Sequence, residues 1–214
     1  MEYDRQAATA PTAPTIFVVD DDPDVRGALK RLLRSARYEA RIFGSAQQFL
    51  AEHDPEPAGC ILLDLAMPEM DGLEVQASLA AGGCRRPIIF LSGKGNIDAS
   101  VKAMRAGAVT FLTKPVQSRD LFAALDESLQ IDAAERARRL RSQAILTRLS
   151  TLTPRERQVF AQVIAGRLNK QIAADLGTVL KTIKVHRARV MQKMNVRSLA
   201  QLVRLAESAG IALH

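Results

Sequence analysis

The sequence is poor in the features that mark secreted and membrane proteins. Its 214 residues include two cysteines, no tryptophan and 4% aromatic residues. Cys60 and Cys84 form no CxxC pair, and the three histidines show no metal-ligand spacing, which favours a reduced setting. No apolar run approaches the roughly 20 residues that span a bilayer, and the first 15 residues lack the apolar core of a secretory signal. We therefore expect a cytoplasmic protein without membrane contact.

Positive charge is concentrated in the C-terminal part of the chain. Residues 1–130 contain 14 Lys and Arg against 18 Asp and Glu, a net charge of −4. Residues 131–214 contain 16 against 5, a net charge of +11. A basic segment on an acidic body is typical of a nucleic-acid-binding module, although a solvated basic surface has the same composition. Charge alone leaves both interpretations open.

Short β-rich runs alternate with helical patterns from residue 15 to about residue 130. Asp22 before Pro23, and Ser45 with Gln48, are typical of helix starts. The central runs are apolar without alternation, as in strands that helices cover on both faces. The pattern predicts an α/β doubly wound, parallel five-stranded sheet, for which we assume the flavodoxin-like order 2-1-3-4-5. The five predicted strands are 16–19, 38–43, 60–63, 87–91 and 109–113.

The chain beyond residue 130 has an all-helical pattern. Residues 126–150 contain no Pro or Gly, which predicts that the fifth helix of the α/β domain continues into a helical linker. The two helices joined by "GTVL" (177–180) fit a helix-turn-helix. Helices are expected at about 154–165, 169–176, 181–194 and 198–209. The predicted domains are a disordered tail (1–14), an α/β domain (15–130), the linker (131–149) and a small all-α helix-turn-helix domain (150–214).

Three consecutive carboxylates end the first predicted strand, in the stretch "VVDDDPDVR" (18–26). In the order 2-1-3-4-5, strands one and three are neighbours, so Asp20 and Asp21 would meet Asp64, which ends the third strand. Several carboxylates in one small site need a cation to stay ionised, and Mg²⁺ prefers oxygen ligands. We expect a Mg²⁺ site there, with Asp22 serving as the cap of the following helix.

Two further polar residues follow strands four and five. Ser92 comes after "PIIFL", and Lys114 comes after "VTFLT" and before Pro115. A hydroxyl and an ammonium that face a carboxylate–metal cluster suit the binding of an acquired dianion. Asp can accept a phosphoryl group covalently, so Asp64 is the candidate acceptor.

Residues 15–130 resemble the receiver domain of response regulators. "VVDDDPDVR", "ILLDLAMPEMDGLE", "LSGKGN" and "AGAVTFLTKP" stand in family order at family spacing. The resemblance implies that Asp64 is the phosphoacceptor and that Lys114 and Ser92 support it. It further implies a Mg²⁺ site formed by Asp20, Asp21, Asp64 and the backbone carbonyl of Ala66, a switch pair of Ser92 and Phe111, and a cis Lys114–Pro115 peptide bond.

Residues 151–210 resemble the LuxR-type DNA-binding domain of the FixJ/NarL group. "LTPRERQV", "AGRLNKQIAADLG", "KTIKVHRARVMQKM" and "RSLAQLV" stand in register. Val179 stands where the family often has a capping Ser, so the cap must come from Thr178 or be missing. Ala188 stands where relatives carry a longer residue. The resemblance implies that bases or phosphates are contacted by Lys181, Thr182, Lys184, Val185, Ala188, Arg189 and Asn169.

The whole pattern predicts a two-component response regulator. A sensor histidine kinase would phosphorylate Asp64, and the protein would form a homodimer, bind promoter DNA and act on RNA polymerase. It would hydrolyse its own acyl phosphate without being a dedicated enzyme. An aspartyl-phosphate phosphatase is disfavoured because Ala66 stands where the haloacid-dehalogenase type has a second Asp. A DNA-binding regulator that ignores phosphorylation, with the receiver as a dimer scaffold, remains the alternative.

Overall fold

The computed structural model describes residues 13–93 and 97–211, in two compact units, 1–135 and 136–214. The predicted tail therefore lies outside the described residues, apart from residues 13 and 14. No helix in the described part of the chain is both long and apolar enough to cross a bilayer. The elements are β1 (Thr15–Val19), α1 (Pro23–Ser35), β2 (Glu39–Phe43), α2 (Ala46–Glu52), β3 (Gly59–Asp64), α3 (Gly72–Ala81), β4 (Ile88–Ser92), α4 (Ile97–Arg105), β5 (Thr110–Thr113), α5 (Ser118–Ser150), α6 (Pro154–Ile164), α7 (Asn169–Asp175), α8 (Leu180–Lys193) and α9 (Leu199–Ser208).

The first unit contains the predicted sheet. Its five strands lie in the order β2-β1-β3-β4-β5, and every pair is parallel. The predicted fold class is therefore confirmed. β1 lies between β2 and β3, with Val19 opposite Leu63, so the ends of β1 and β3 meet at the same edge of the sheet. Strand order reverses at this point, where ligands bind in such sheets.

Different helices cover the two faces of the sheet. Phe17 and Val19 pack with residues of α2, α3 and α4, whereas Ile16 and Val18 pack with residues of α1 and α5. Successive side chains of a strand point to opposite faces, so the unbroken apolar runs of the sequence fill both cores. All five residues of β1 are buried. The carboxyl edge of the sheet, where β1 and β3 end, is therefore held by packed helices on both faces.

The second unit is all-helical, as predicted. Its core joins the last turns of α5 to α6, α7, α8 and α9, with Ile145, Val159 and Ile183 buried together. A capping box starts α6, in which the side chains of Thr153 and Glu156 each accept a hydrogen bond from the other's backbone N–H. The segment predicted as a helical linker (131–149) lies within α5, which runs as one helix from Ser118 to Ser150.

A buried arginine lies near the amino-terminal edge of the sheet. The guanidinium of Arg86 donates to the carbonyl oxygens of Asp54 and Pro57 at 3.0 and 2.6 Å, and lies 2.7 Å from Nε2 of His53. It also lies 4.1 Å from the centre of the Phe17 ring. Burial of the imidazole, together with Arg86, lowers the pKa of His53 to about 4. The ring is therefore neutral at neutral pH and accepts from Arg86.

This depressed pKa predicts a pH-dependent stability. Because the pKa of His53 is about 4 in the fold and about 6.5 when unfolded, its contribution is complete above pH 6.5 and is lost as pH falls toward 4. In His53→Gln, which keeps an acceptor for Arg86, we expect the urea midpoint to fall less steeply over this range. Tyrosine fluorescence can follow the unfolding, because Tyr38 lies in the first unit, with its ring 6.3 Å from that of Phe122. Equal slopes for the two proteins would contradict the assignment.

Candidate phosphorylation site and DNA-binding surface

Three carboxylates meet at the carboxyl edge of the sheet. Asp20 and Asp21 directly follow β1, and Asp64 is the last residue of the neighbouring β3. Each offers an oxygen within 4.8 Å of the others. Asp20 is 0% exposed and Asp64 is 4% exposed, whereas Asp21 is open to solvent. The structure therefore brings together the acidic residues that the sequence predicted to converge.

The third carboxylate of the run caps a helix, as predicted. The Asp22 side chain accepts from the backbone N–H groups of Asp24 and Val25 at 2.8 and 3.4 Å. Its own N–H donates to Asp20 Oδ1 at 3.0 Å. Arg26 also holds this loop, since its guanidinium donates to the Asp20 carbonyl at 2.7 Å. Arg26 is not among the predicted site residues, and its position four residues after the helix cap is the only feature of the sequence that indicates this contact.

Lys114 joins the two buried carboxylates. Its Nζ lies 2.7 Å from Asp20 Oδ2 and 3.1 Å from Asp64 Oδ1. Its backbone N–H donates to the Ser92 carbonyl at 2.7 Å, which fixes the loop after β5, and the Lys114–Pro115 peptide bond is cis. Burial acts to lower the pKa of Lys114, but the hydrogen bonds to the two carboxylates outweigh it and raise the pKa. The ammonium therefore stays charged.

Opposing interactions act on the pKa of Asp64, and the net effect is to raise it. Burial raises the pKa of Asp64, and the neighbouring charge of Asp20 adds to this effect. Hydrogen bonds from Lys114 and from the backbone N–H of Ala66 act in the opposite direction. The net direction is upward, so a further positive charge at the site would favour the ionised, nucleophilic carboxylate.

The donor set fits a hard divalent cation. Among the residues that the structure describes, three carboxylates face one ammonium, which leaves an excess of negative charge at a largely buried site. Carboxylate oxygens are the ligands that Mg²⁺ prefers. Asp20, Asp21 and Asp64 could hold the ion, and the loop that contains Ala66 follows Asp64 directly.

The two expected switch residues lie on β4 and β5. Ser92 is buried at the end of β4, and its hydroxyl donates to the Gly93 carbonyl at 2.9 Å. Phe111 lies opposite Phe90 in the strand register, half-buried against the core that contains α4. The Ser92 hydroxyl is thus near the site edge but bonded to its own loop.

A glycine packs directly against the backbone of Asp64. Gly72 is the first residue of α3, and its N–H donates to the Leu65 carbonyl at 3.0 Å. A Cβ at this position would lie 2.5 Å from the Asp64 carbonyl oxygen and 2.9 Å from Cε1 of Phe90. Only glycine leaves the backbone of Asp64 in place.

Gly72→Ala should therefore disturb the site. We expect a loss of about 1 to 3 kcal/mol in the free energy of unfolding, typical of overpacking, and weaker binding of Mg²⁺ and beryllofluoride by titration calorimetry. Gly82→Ala is the matched control, because a Cβ there meets its nearest atoms at 3.5 Å. A Gly72→Ala protein that matches Gly82→Ala in both measurements would contradict this packing argument.

The helix-turn-helix of the second unit presents a basic surface on α8. Ile183 and Val190 are buried in the core, which turns the other side of the helix to solvent. Thr182 and Asn169, at the start of α7, are half-buried. Asn169 lies at the junction of the two helices, where its Oδ1 accepts a hydrogen bond from Arg187 at 2.9 Å. Arg187 is not among the residues predicted from the sequence. The exposed residues of the predicted contact set are Lys181, Lys184, Val185, Ala188 and Arg189.

The start of α8 carries no side-chain cap. Val179 is the N-cap residue and makes no side-chain hydrogen bond there, so the predicted departure from a capping Ser is confirmed. The Thr178 N–H donates to the Ala173 carbonyl within the turn. Val179, Leu180 and Val185 expose apolar side chains, with 65%, 43% and 45% of their surface accessible. Apolar groups on a basic helix can contact thymine methyl groups.

Comparisons with known proteins cover both units. A family model described as "Response regulator receiver domain" matches residues 16–126, and one described as "Bacterial regulatory proteins, luxR family" matches residues 150–206. Nodulation protein W of Bradyrhizobium diazoefficiens is 39% identical over 95% of this chain and 89% of that protein.

Two further relatives agree with these matches. Transcriptional regulatory protein FixJ of Bradyrhizobium diazoefficiens is 40% identical over 92% of this chain and 96% of that protein. The solved structure of response regulator StyR is 47% identical, covers 91% of this chain and 98% of that chain, and superposes with a TM-score of 0.81. The chain belongs to the FixJ-type response regulators of two-component systems, which join a receiver domain to a LuxR-type DNA-binding domain.

Proposed function

We propose that a sensor histidine kinase phosphorylates Asp64 in the cytoplasm, and that this event switches dimerisation and sequence-specific DNA binding to control transcription. The observation that carries the proposal is the bridge from Lys114 to Asp20 and Asp64 at the edge of the sheet. One half-buried ammonium between two buried carboxylates, with Asp21 beside them, gives the charges that a covalent phosphoryl acceptor requires.

The proposed transfer requires an ionised Asp64. One of its oxygens attacks the phosphorus of the kinase's phosphohistidine, the P–N bond breaks, and the electron pair returns to the imidazole nitrogen. Bound Mg²⁺, held by Asp20, Asp21, Asp64 and the Ala66 carbonyl, would supply charge stabilisation for the phosphoryl oxygens. Lys114, 3.1 Å from Asp64 Oδ1, would pair with the dianion that is formed.

The switch would follow from the new hydrogen-bond acceptors. Ser92 would exchange its bond with the Gly93 carbonyl for one with a phosphoryl oxygen, which would draw the end of β4 toward Asp64. Phe111, half-buried on the adjacent strand, would then move inward. Such a change is a shift between two populations, biased by the charge added at Asp64.

Two alternatives are disfavoured by particular residues. A dedicated aspartyl-phosphate phosphatase would need a general acid near Asp64, and the candidate position holds Ala66. Hydrolysis of the protein's own acyl phosphate remains part of the proposal. A constitutive DNA-binding regulator would have no use for a half-buried Lys114 shared by two buried carboxylates.

The DNA-binding part of the proposal rests on α8. Lys181, Thr182 and Arg189 would contact phosphates, with Asn169 at the helix junction, while Lys184, Val185 and Ala188 would face bases. A dimer would read two half-sites separated by multiples of one helical turn. The protein bound at a promoter would then act on RNA polymerase and so control transcription.

The gating claim can be tested with beryllofluoride and Mg²⁺, which mimic the aspartyl phosphate. We expect wild-type protein to dimerise and to bind its DNA site about tenfold more tightly, a typical coupling free energy. Light scattering and fluorescence anisotropy measure the two effects, and Asp64→Asn is the control. Proven beryllofluoride occupancy without either change would instead support the constitutive regulator.

Single substitutions on α8 should separate phosphate contacts from base contacts. Lys181→Ala should weaken binding similarly on all sequences and reduce the salt slope of log K by about 0.9. Val185→Ala should reduce the discrimination between bases at one base pair and leave the salt slope of log K unchanged. Anisotropy titrations across salt concentrations, on the selected site and on single-base variants of it, measure both. A Lys181→Ala defect confined to one sequence would contradict the phosphate assignment.

A further inference from the structure

Two large apolar side chains are exposed at the start of α8. Val179 and Leu180 have 65% and 43% of their surface accessible. Val179 is also the N-cap residue, a position that favours Ser, Thr, Asp or Asn, and its side chain bonds no backbone N–H of the helix. The helix start therefore departs from the usual pattern twice, by lacking a cap and by exposing apolar surface. Neither departure stabilises the folded unit, and departures of this kind concentrate at functional sites.

Leu180 lies in line with residues that are expected to face bases. Leu180, Lys184 and Ala188 recur every four residues, which places them on one stripe of α8. All three are exposed, whereas Ile183 and Val190 turn another side of the helix into the core. Leu180 therefore extends the base-facing stripe by one turn. The stripe then reaches the amino-terminal end of the helix, which is the end that contacts base edges in a helix-turn-helix.

The surroundings of Val179 and Leu180 are strongly basic. α8 contains five Lys and Arg and no Asp or Glu, and its Lys181 and Lys184 are exposed. Residues 136–214 contain 16 Lys and Arg against 3 Asp and Glu, a net charge of +13. Duplex DNA matches both properties of this surface, because its phosphates pair with lysines and its bases present methyl groups in the major groove. A protein partner would compete there with the DNA that the neighbouring lysines contact.

The thymine methyl group is the base feature that these side chains can recognise. Valine and leucine have no hydrogen-bonding group in their side chains, so they cannot pair with the donors and acceptors on base edges. An apolar side chain can instead cover the C5-methyl group of thymine. Removal of one methyl group from water corresponds to a preference of about fourfold over a base that lacks it.

We infer that Val179 and Leu180 read a thymine through its C5-methyl group, at a base pair beside the one that Lys184 faces. The inference rests on the proposed function, because it adds a specificity contact to the DNA-binding face of α8. The missing cap then has a physical reason, since the side chain at the cap position contacts DNA instead of the backbone of its own helix.

The test uses full-length protein with beryllofluoride and Mg²⁺, and a DNA site that the wild-type protein selects from random sequence. Each thymine of one half-site is replaced in turn by deoxyuridine, which lacks only the C5-methyl group, and fluorescence anisotropy measures the affinity. The variant is Val179→Ser with Leu180→Ala. Serine supplies the missing cap, so this double variant should be as stable as wild type in thermal unfolding. Leu140→Ala is the control, because Leu140 is exposed on α5 in the same unit, outside the helix-turn-helix.

We expect wild-type protein and Leu140→Ala to lose about fourfold in affinity on deoxyuridine DNA at one position or more. At one of these positions the double variant should lose nothing, which is the coupling expected of a direct contact. Penalties at thymines that other residues read should remain in the double variant.

Three results would overturn the inference and leave the proposed function intact. They are a selected half-site without thymine, a wild-type protein indifferent to deoxyuridine, and a double variant that keeps every wild-type penalty. In the last case, weaker dimerisation of the double variant in light scattering would assign the apolar pair to a contact with a second copy of the chain. Wild-type protein that selects no preferred sequence would overturn the proposed function, and the inference with it.

Discussion

The ion pairs of Lys114 with two buried carboxylates constrain the rest of the receiver. Asp20 and Asp64 can be buried side by side only because an ammonium lies within 3.1 Å of both. That ammonium reaches them only because its own loop is fixed to the end of β4 through the Ser92 carbonyl. Strands β1, β3, β4 and β5 therefore all contribute to one electrostatic unit. A change of charge at Asp64 would act on each of these strands, and this is the physical basis of the proposed switch.

The sequence predicted the architecture well because its patterns are locally determined. Apolar runs of strand length, capping residues such as Asp22, and turn segments between them report directly on backbone preference. Given the strand order 2-1-3-4-5, which the sequence analysis took as a condition, the convergence of Asp20, Asp21 and Asp64 follows from one topological rule, that parallel strands present their carboxyl ends at one edge. The resemblance added the roles of these residues, and their roles remain predictions.

The contacts that escaped prediction are hydrogen bonds between side chains and partners that the sequence pattern does not indicate. Arg26 reaches a backbone carbonyl across its own loop, and Arg187 reaches Asn169 across the helix-turn-helix junction. Asp132 accepts from the Gly59 N–H at 2.9 Å, which ties α5 to the start of β3. No spacing rule reports where a flexible guanidinium or carboxylate finds its partner, because the choice depends on packing in three dimensions. The orientation of the Ser92 hydroxyl toward Gly93 has the same origin.

The net charge of +13 on residues 136–214 has a consequence for how such a protein finds its target. Every stretch of duplex offers the same phosphates, so counterion release draws this unit to genomic DNA of any sequence. The competing sites in a genome number about a million or more. A protein with this charge is expected to spend much of its time on unrelated DNA and to search by sliding and hopping. The output of the proposed switch would then be a ratio of occupancy between one site and all others, and that ratio would depend on salt concentration as well as on phosphorylation.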